Sequence, residues 1–132
     1  MKQVLSKKQK QDAATLLGGA SLGVGLGFMV VPGIAGRMLG MKPDAASQAG
    51  SRFAARAVGA RDIAFGIGLL ATRQDSENGA LWRQLFALCM AGDVGAAALA
   101  AGKPGANFFT YAGGLSSVAL AALALISAQE EI

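Results

Sequence analysis

The chain has 132 residues, 53% of them hydrophobic and only 15% charged, with 19 glycines, one cysteine and no histidine. That length suits one domain, and the charged fraction lies well below the ~25% of an ordinary soluble domain. Intrinsic disorder and an internal disulfide scaffold are excluded, the first by the apolar excess and the second by the single cysteine. The formal net charge is +4. Its cations sit at the ends of apolar runs rather than in an aromatic-interleaved stripe, so no nucleic-acid partner is expected.

Four apolar segments follow in chain order and predict an all-α, integral membrane four-helix bundle, up-down-up-down, in a single domain. A basic N-terminal segment, 1–12, carries Lys2, Lys7, Lys8 and Lys10. The first helix, 13–31, is free of charge and stops at Pro32-Gly33, long enough for the ~20 apolar residues of a span. Its apolar run exceeds the ~7–15 residues of a signal-peptide core, so an uncleaved span is expected. The second helix, 52–72, carries Arg52, Arg56, Arg61 and Asp62, and the third, 81–101, carries Arg83 and Asp93. A central Arg or Asp costs ~2.5–3.5 kcal/mol on insertion, against ~0.3–0.6 gained per large apolar residue. These two helices are therefore expected to rely on shelter from the others and on internal charge pairing. The fourth, 104–128, opens on Pro104 at a first-turn position and runs uncharged into a short acidic tail, 129–132.

Small residues suggest how the helices meet. Gly19, Gly23 and Gly27 stand four apart on the first helix, continued by Thr15, and offer a surface for a homo-oligomer. Gly59 and Gly66 with Ala55 give the second helix a similar face, and Gly92 and Gly95 serve the third. Trp82 reads as an interfacial anchor. Six Lys and Arg fall on the side of the termini and five on the other. That bias and the lysine cluster predict an inner-membrane protein with both termini cytoplasmic.

The ionisable residues inside the bundle carry the chemistry. Asp62 lies ten residues before the connector and Asp93 twelve after it. At 1.5 Å per residue their depths are ~15 and ~18 Å from the same end. Both acids thus reach one level, with Arg61 beside them. They form either a buried pairing network that fixes helix register, or a catalytic acid/base set of Asp93 and Asp62 with Arg61 and Arg56 as substrate-binding groups. The plainer role of Arg52 and Arg56, one turn apart, is to reach lipid headgroups. Without histidine or a ligand cluster, no metal or other cofactor is expected.

The run Arg56-Ala-Val-Gly59-Ala-Arg61-Asp62-Ile-Ala-Phe-Gly66, with a lone Asp93 midway along the third helix, resembles the signature of a small four-helix integral membrane family, domain of unknown function 4267. The resemblance implies a membrane location and four helices and brings no established activity. Three functions stay open: a membrane structural or interaction module, an enzyme acting on a lipophilic small molecule by carboxylate chemistry, and a small dimeric proton-coupled transporter.

Overall fold

A computed structural model describes residues 5–38 and 49–129. Lys2, Lys42 and the predicted acidic tail beyond Gln129 lie outside them. The described residues form five helices and no strand: α1 (Lys7–Val30), α2 (Pro32–Met38), α3 (Ala49–Ala71), α4 (Ser76–Ala100) and α5 (Phe108–Ser127). The all-helical expectation holds, with one helix more than predicted.

Local chemistry sets the helix ends. Ser6 and Gln9 form a reciprocal cap, each side chain accepting from the other's backbone N–H, which satisfies donors orphaned at a helix start. The cap starts α1 at Lys7, six residues ahead of the expected 13, and draws Lys7, Lys8 and Lys10 into the helix. Pro32 ends α1 as predicted, but its fixed φ then suits the first turn of α2, and the chain resumes as a short helix against α3. The expected start of the last helix at Pro104 is corrected. Pro104 sits in a turn between Gly102 and Gly105, both at positive φ, which no continuous right-handed helix can contain. Asn107 caps α5 instead, its Oδ1 accepting from the N–H groups of Phe109 and Thr110. The Tyr111 hydroxyl accepts from Gly102 N–H at 3.0 Å and ties the turn down.

Packing groups the helices in two close pairs, α1 with α3 and α4 with α5. The α1–α3 seam is antiparallel and built on glycine. A Cβ on Gly18 would lie 3.1 Å from the Gly66 carbonyl oxygen, and one on Gly66 would lie 2.8 Å from that of Gly18. The predicted Gly59 and Gly66 face therefore holds, but its partner row on α1 is Gly18 and Gly25. Gly19, Gly23 and Gly27 would meet nothing within 4 Å if given a Cβ, and neither would Gly92 and Gly95. Those two rows do not make the packing inside this chain.

Leu17, Leu69, Phe86, Met90 and Ala124 form the buried core, from α1, α3, α4 and α5. Phe65 meets Trp82 and Phe86 edge to face, with ring centroids 6.0 and 5.7 Å apart, a favoured aromatic geometry. Trp82 is thus a packing residue, half-buried over Gly68, where a side chain would overlap its ring.

Among the described residues, two helices are long and apolar enough to cross a membrane, α1 and α5. α3 and α4 share the length but carry the charges that set segments 52–72 and 81–101 apart in the sequence. The outer surface of α5 is strongly apolar, with Phe108, Leu115 and Leu125 all more than half exposed, a band that suits lipid contact.

Candidate functional site

Arg61 and Asp62 are adjacent on α3, and Asp93 projects from α4. Consecutive helix residues are ~100° apart, so Arg61 and Asp62 leave α3 in different directions and only a long side chain can bring them together. The Arg61 guanidinium does so. Its Nε donates to Asp62 Oδ1 at 2.9 Å, while its two terminal nitrogens donate to Asp93 Oδ1 and Oδ2 at 3.0 and 3.1 Å. The fork on Asp93 is the bidentate geometry that a planar guanidinium offers a carboxylate. The level matching read from the sequence is therefore realised, and one cation is shared between two acids.

This group forms part of the wall of a cavity of about 470 Å³ between the two helix pairs. Leu17, Ser21 and Val24 of α1, Val58 of α3, Phe86 and Met90 of α4, and Thr110, Gly113, Ser117 and Leu120 of α5 supply much of the remaining lining. The volume lies within the ~300–1,000 Å³ of small-molecule pockets. Asp62 is buried, whereas the Asp93 side chain keeps 37% of its surface accessible. Asp93 is thus the acid that a molecule in the cavity would meet first. Each of its oxygens spends one acceptor site on Arg61 and keeps capacity for a second donor. With one guanidinium and two carboxylates, the formal charge of the group is −1.

Hydroxyl groups complete the polar part of the wall. Ser21 and Ser117 are buried, Thr110 is half-buried, and all three line the cavity. Thr110 and Ser117 share a face of α5 through their seven-residue spacing, a relation visible in the sequence, whereas Ser21 on α1 carries no sequence signal that would have selected it. Arg56, predicted beside Arg61 as a substrate-binding residue, is exposed and does not line the cavity. The five-residue step between them turns Arg56 well away from the Arg61 direction. No group of three or more potential metal ligands occurs among the described residues. Compared with known proteins, the chain matches no family model, no curated protein and no solved structure.

Proposed function

We propose that this chain is a four-span inner-membrane protein, with both termini cytoplasmic, that binds a lipophilic small molecule between its helices. The supporting observation is the cavity of about 470 Å³ with the accessible Asp93 carboxylate on its wall. An ion group used only as packing glue has no need of an adjoining apolar cavity. An apolar body would fill the space lined by Leu17, Val24, Met90 and Leu120. The net −1 of the Arg61, Asp62 and Asp93 group favours a ligand with an amine or hydroxyl donor over one with a carboxylate. The four-helix resemblance and the apolar bands of α1 and α5 support the membrane placement. Sheltered between those two, the charged α3 and α4 would cross as well.

The enzyme reading belongs to the same site. Asp62 Oδ2 accepts no hydrogen bond from a described residue, so this oxygen is the candidate for moving a proton of the bound molecule. Binding tests the shared premise. A dansyl-labelled dodecylamine is titrated into the protein in phosphatidylcholine nanodiscs, with a dansyl-labelled fatty acid for comparison. Saturable amine binding, tighter than that of the acid and at least tenfold weaker in Asp93→Asn, is expected. Unsaturable partitioning that is identical in wild type and Asp93→Asn would remove the proposal.

A further inference from the structure

A second cavity lies at the end of the bundle where α1 begins, α5 finishes and the α3–α4 turn passes between them. Its volume is about 640 Å³, and its charged lining is Lys7 and Lys10 of α1, Arg73, Asp75 and Glu77 of the turn region, and Arg83 of α4. The formal balance of these six residues is +2.

Arg83 sets this cavity apart from a solvated basic rim. The residue is 4% exposed, and its Nε, fully buried, has no hydrogen-bond partner among the described residues. A buried guanidinium without a counterion is costly, and native structures seldom leave one so. Gly79, one turn earlier, lets the α3–α4 turn close over this end of α4, since a Cβ there would lie 2.6 Å from the Thr72 carbonyl oxygen. Two acids line the cavity, Asp75 and Glu77, and neither is ion-paired to Arg83; Asp75 caps α4. Asp75 accepts from the Asn78 backbone through Oδ1 at 2.9 Å and from the Asn78 side chain through Oδ2 at 2.7 Å. Lys10 donates to the Gln129 carbonyl and Arg73 to that of Leu70. Both acceptors are neutral, and neither cation is ion-paired to a described residue.

We propose that this cavity binds a phosphate ester group, with Arg83 as its buried anchor and Lys7, Lys10 and Arg73 around it. Guanidinium groups pair with phosphate oxygens through parallel N–H bonds, and lysines add point charge. The volume exceeds that of a bare ion, so the phosphate belongs to a larger molecule. The level is that of the ends of α1 and α5, the two membrane-length helices, where lipid headgroups lie. Two sources share this chemistry: the headgroup of an anionic phospholipid, and a water-soluble phosphate ester.

The test uses the full chain in phosphatidylcholine nanodiscs and reads thermal stability at constant ionic strength. One arm titrates glycerol 3-phosphate against chloride, and the other replaces a fifth of the lipid, about 20%, by phosphatidylglycerol. Stabilisation by the soluble ester assigns a free phosphate compound, and stabilisation by the lipid alone assigns a headgroup. Either supports the site, provided that Arg83→Met weakens the response at least tenfold and Lys103→Met, in the exposed α4–α5 turn at the other end of the bundle, leaves it unchanged. Arg83→Met removes a buried charge for an apolar chain of similar length, and Arg73→Gln, on the exposed turn, gives a milder second variant with a several-fold loss. No response in either arm, or equal responses in wild type, Arg83→Met and Arg73→Gln, overturns the proposal. So does a response that emerges only in Glu130→Gln/Glu131→Gln, because the chain's own carboxylates would then be the natural occupants.

Discussion

Gly25 of α1 and Gly59 of α3 stand so close that a Cβ built on either would lie 2.7 Å from the other's carbonyl oxygen. Together with Gly18 and Gly66, seven residues away on each helix, they make a reciprocal antiparallel seam. At Gly25 and Gly59 the nearest obstacle is backbone, so no rotamer change can relieve a substitution there.

Gly25→Ala and Gly59→Ala are expected to separate α1 from α3 and cost about 1–3 kcal/mol each, the usual range for overpacking. Gly19→Ala and Gly23→Ala, on the open face, should leave stability unchanged or raise it by up to about 1 kcal/mol through helix propensity. Thermal melts in detergent compare the two sets. A change of oligomeric state in the second set would show that the open glycine row serves a second copy, as the four-residue spacing suggests.

Arg61→Met leaves Asp62 and Asp93 facing each other without their shared cation. The loss is expected near the lower end of about 1–3 kcal/mol for an unsatisfied charged partner, because Arg61 and Asp93 keep about a third of their side-chain surface accessible. Neutralising the acids as well, in Arg61→Met/Asp62→Asn/Asp93→Asn, should recover most of it. Urea or thermal unfolding of the single and triple variants reads the coupling. An undiminished loss in the triple variant would mean that Arg61 acts through its packing.

Gly113→Leu fills the apolar cavity from α5. A Cβ at this position meets nothing within 4 Å, so the variant should fold at least as stably as wild type, with a gain of up to about 1 kcal/mol from replacing a helical glycine. Binding of the dansyl amine should fall at least tenfold. Full binding with a leucine in place would relocate the ligand away from the cavity between the helix pairs.

Asp75 predicts a pH dependence at the turn. Its carboxyl is held below the ordinary range, first by the Asn78 side-chain amide and then by the Asn78 backbone N–H. A lowered folded value means that the unfolded chain takes up the proton first as pH falls. The cap therefore stabilises fully above the ordinary aspartate value of ~3.9 and is lost as pH drops through the lower folded value. Protection of the Asn78 amide, its exchange relative to the intrinsic rate at each pH, should fall across that window in wild type. In Asp75→Asn, which keeps a capping oxygen without a titrating charge, protection should be flat.

Positions that obey simple spacing were legible before folding. Asp62 and Asp93 could be placed at one depth because helix rise and a short connector convert sequence distance into height. Gly59 and Gly66 were visible for the same reason. Their partners were missed because Gly18 and Gly25 are seven apart, whereas the four-residue row of Gly19, Gly23 and Gly27 dominates the local pattern. Matching the seven-residue interval on both helices would have found them. Pro104 misled because a proline that suits a helix start suits a turn equally well, and the two flanking glycines decided the matter. The setting of Arg83 was beyond reach, since only the folded chain shows that its Nε is enclosed with no partner among the described residues.

The α3–α4 turn has a consequence for how the molecule divides. Residues 72–75 are the one covalent link between the α1–α3 pair and the α4–α5 pair, and each pair keeps its own close seam. A chain cut within this turn would yield two helical hairpins, each retaining its internal packing, with the shared apolar core, the Arg61–Asp93 bridge and the aromatic cluster left to hold them together. The protein is therefore two pieces joined at one edge, and the cavity is the crease of the fold between them.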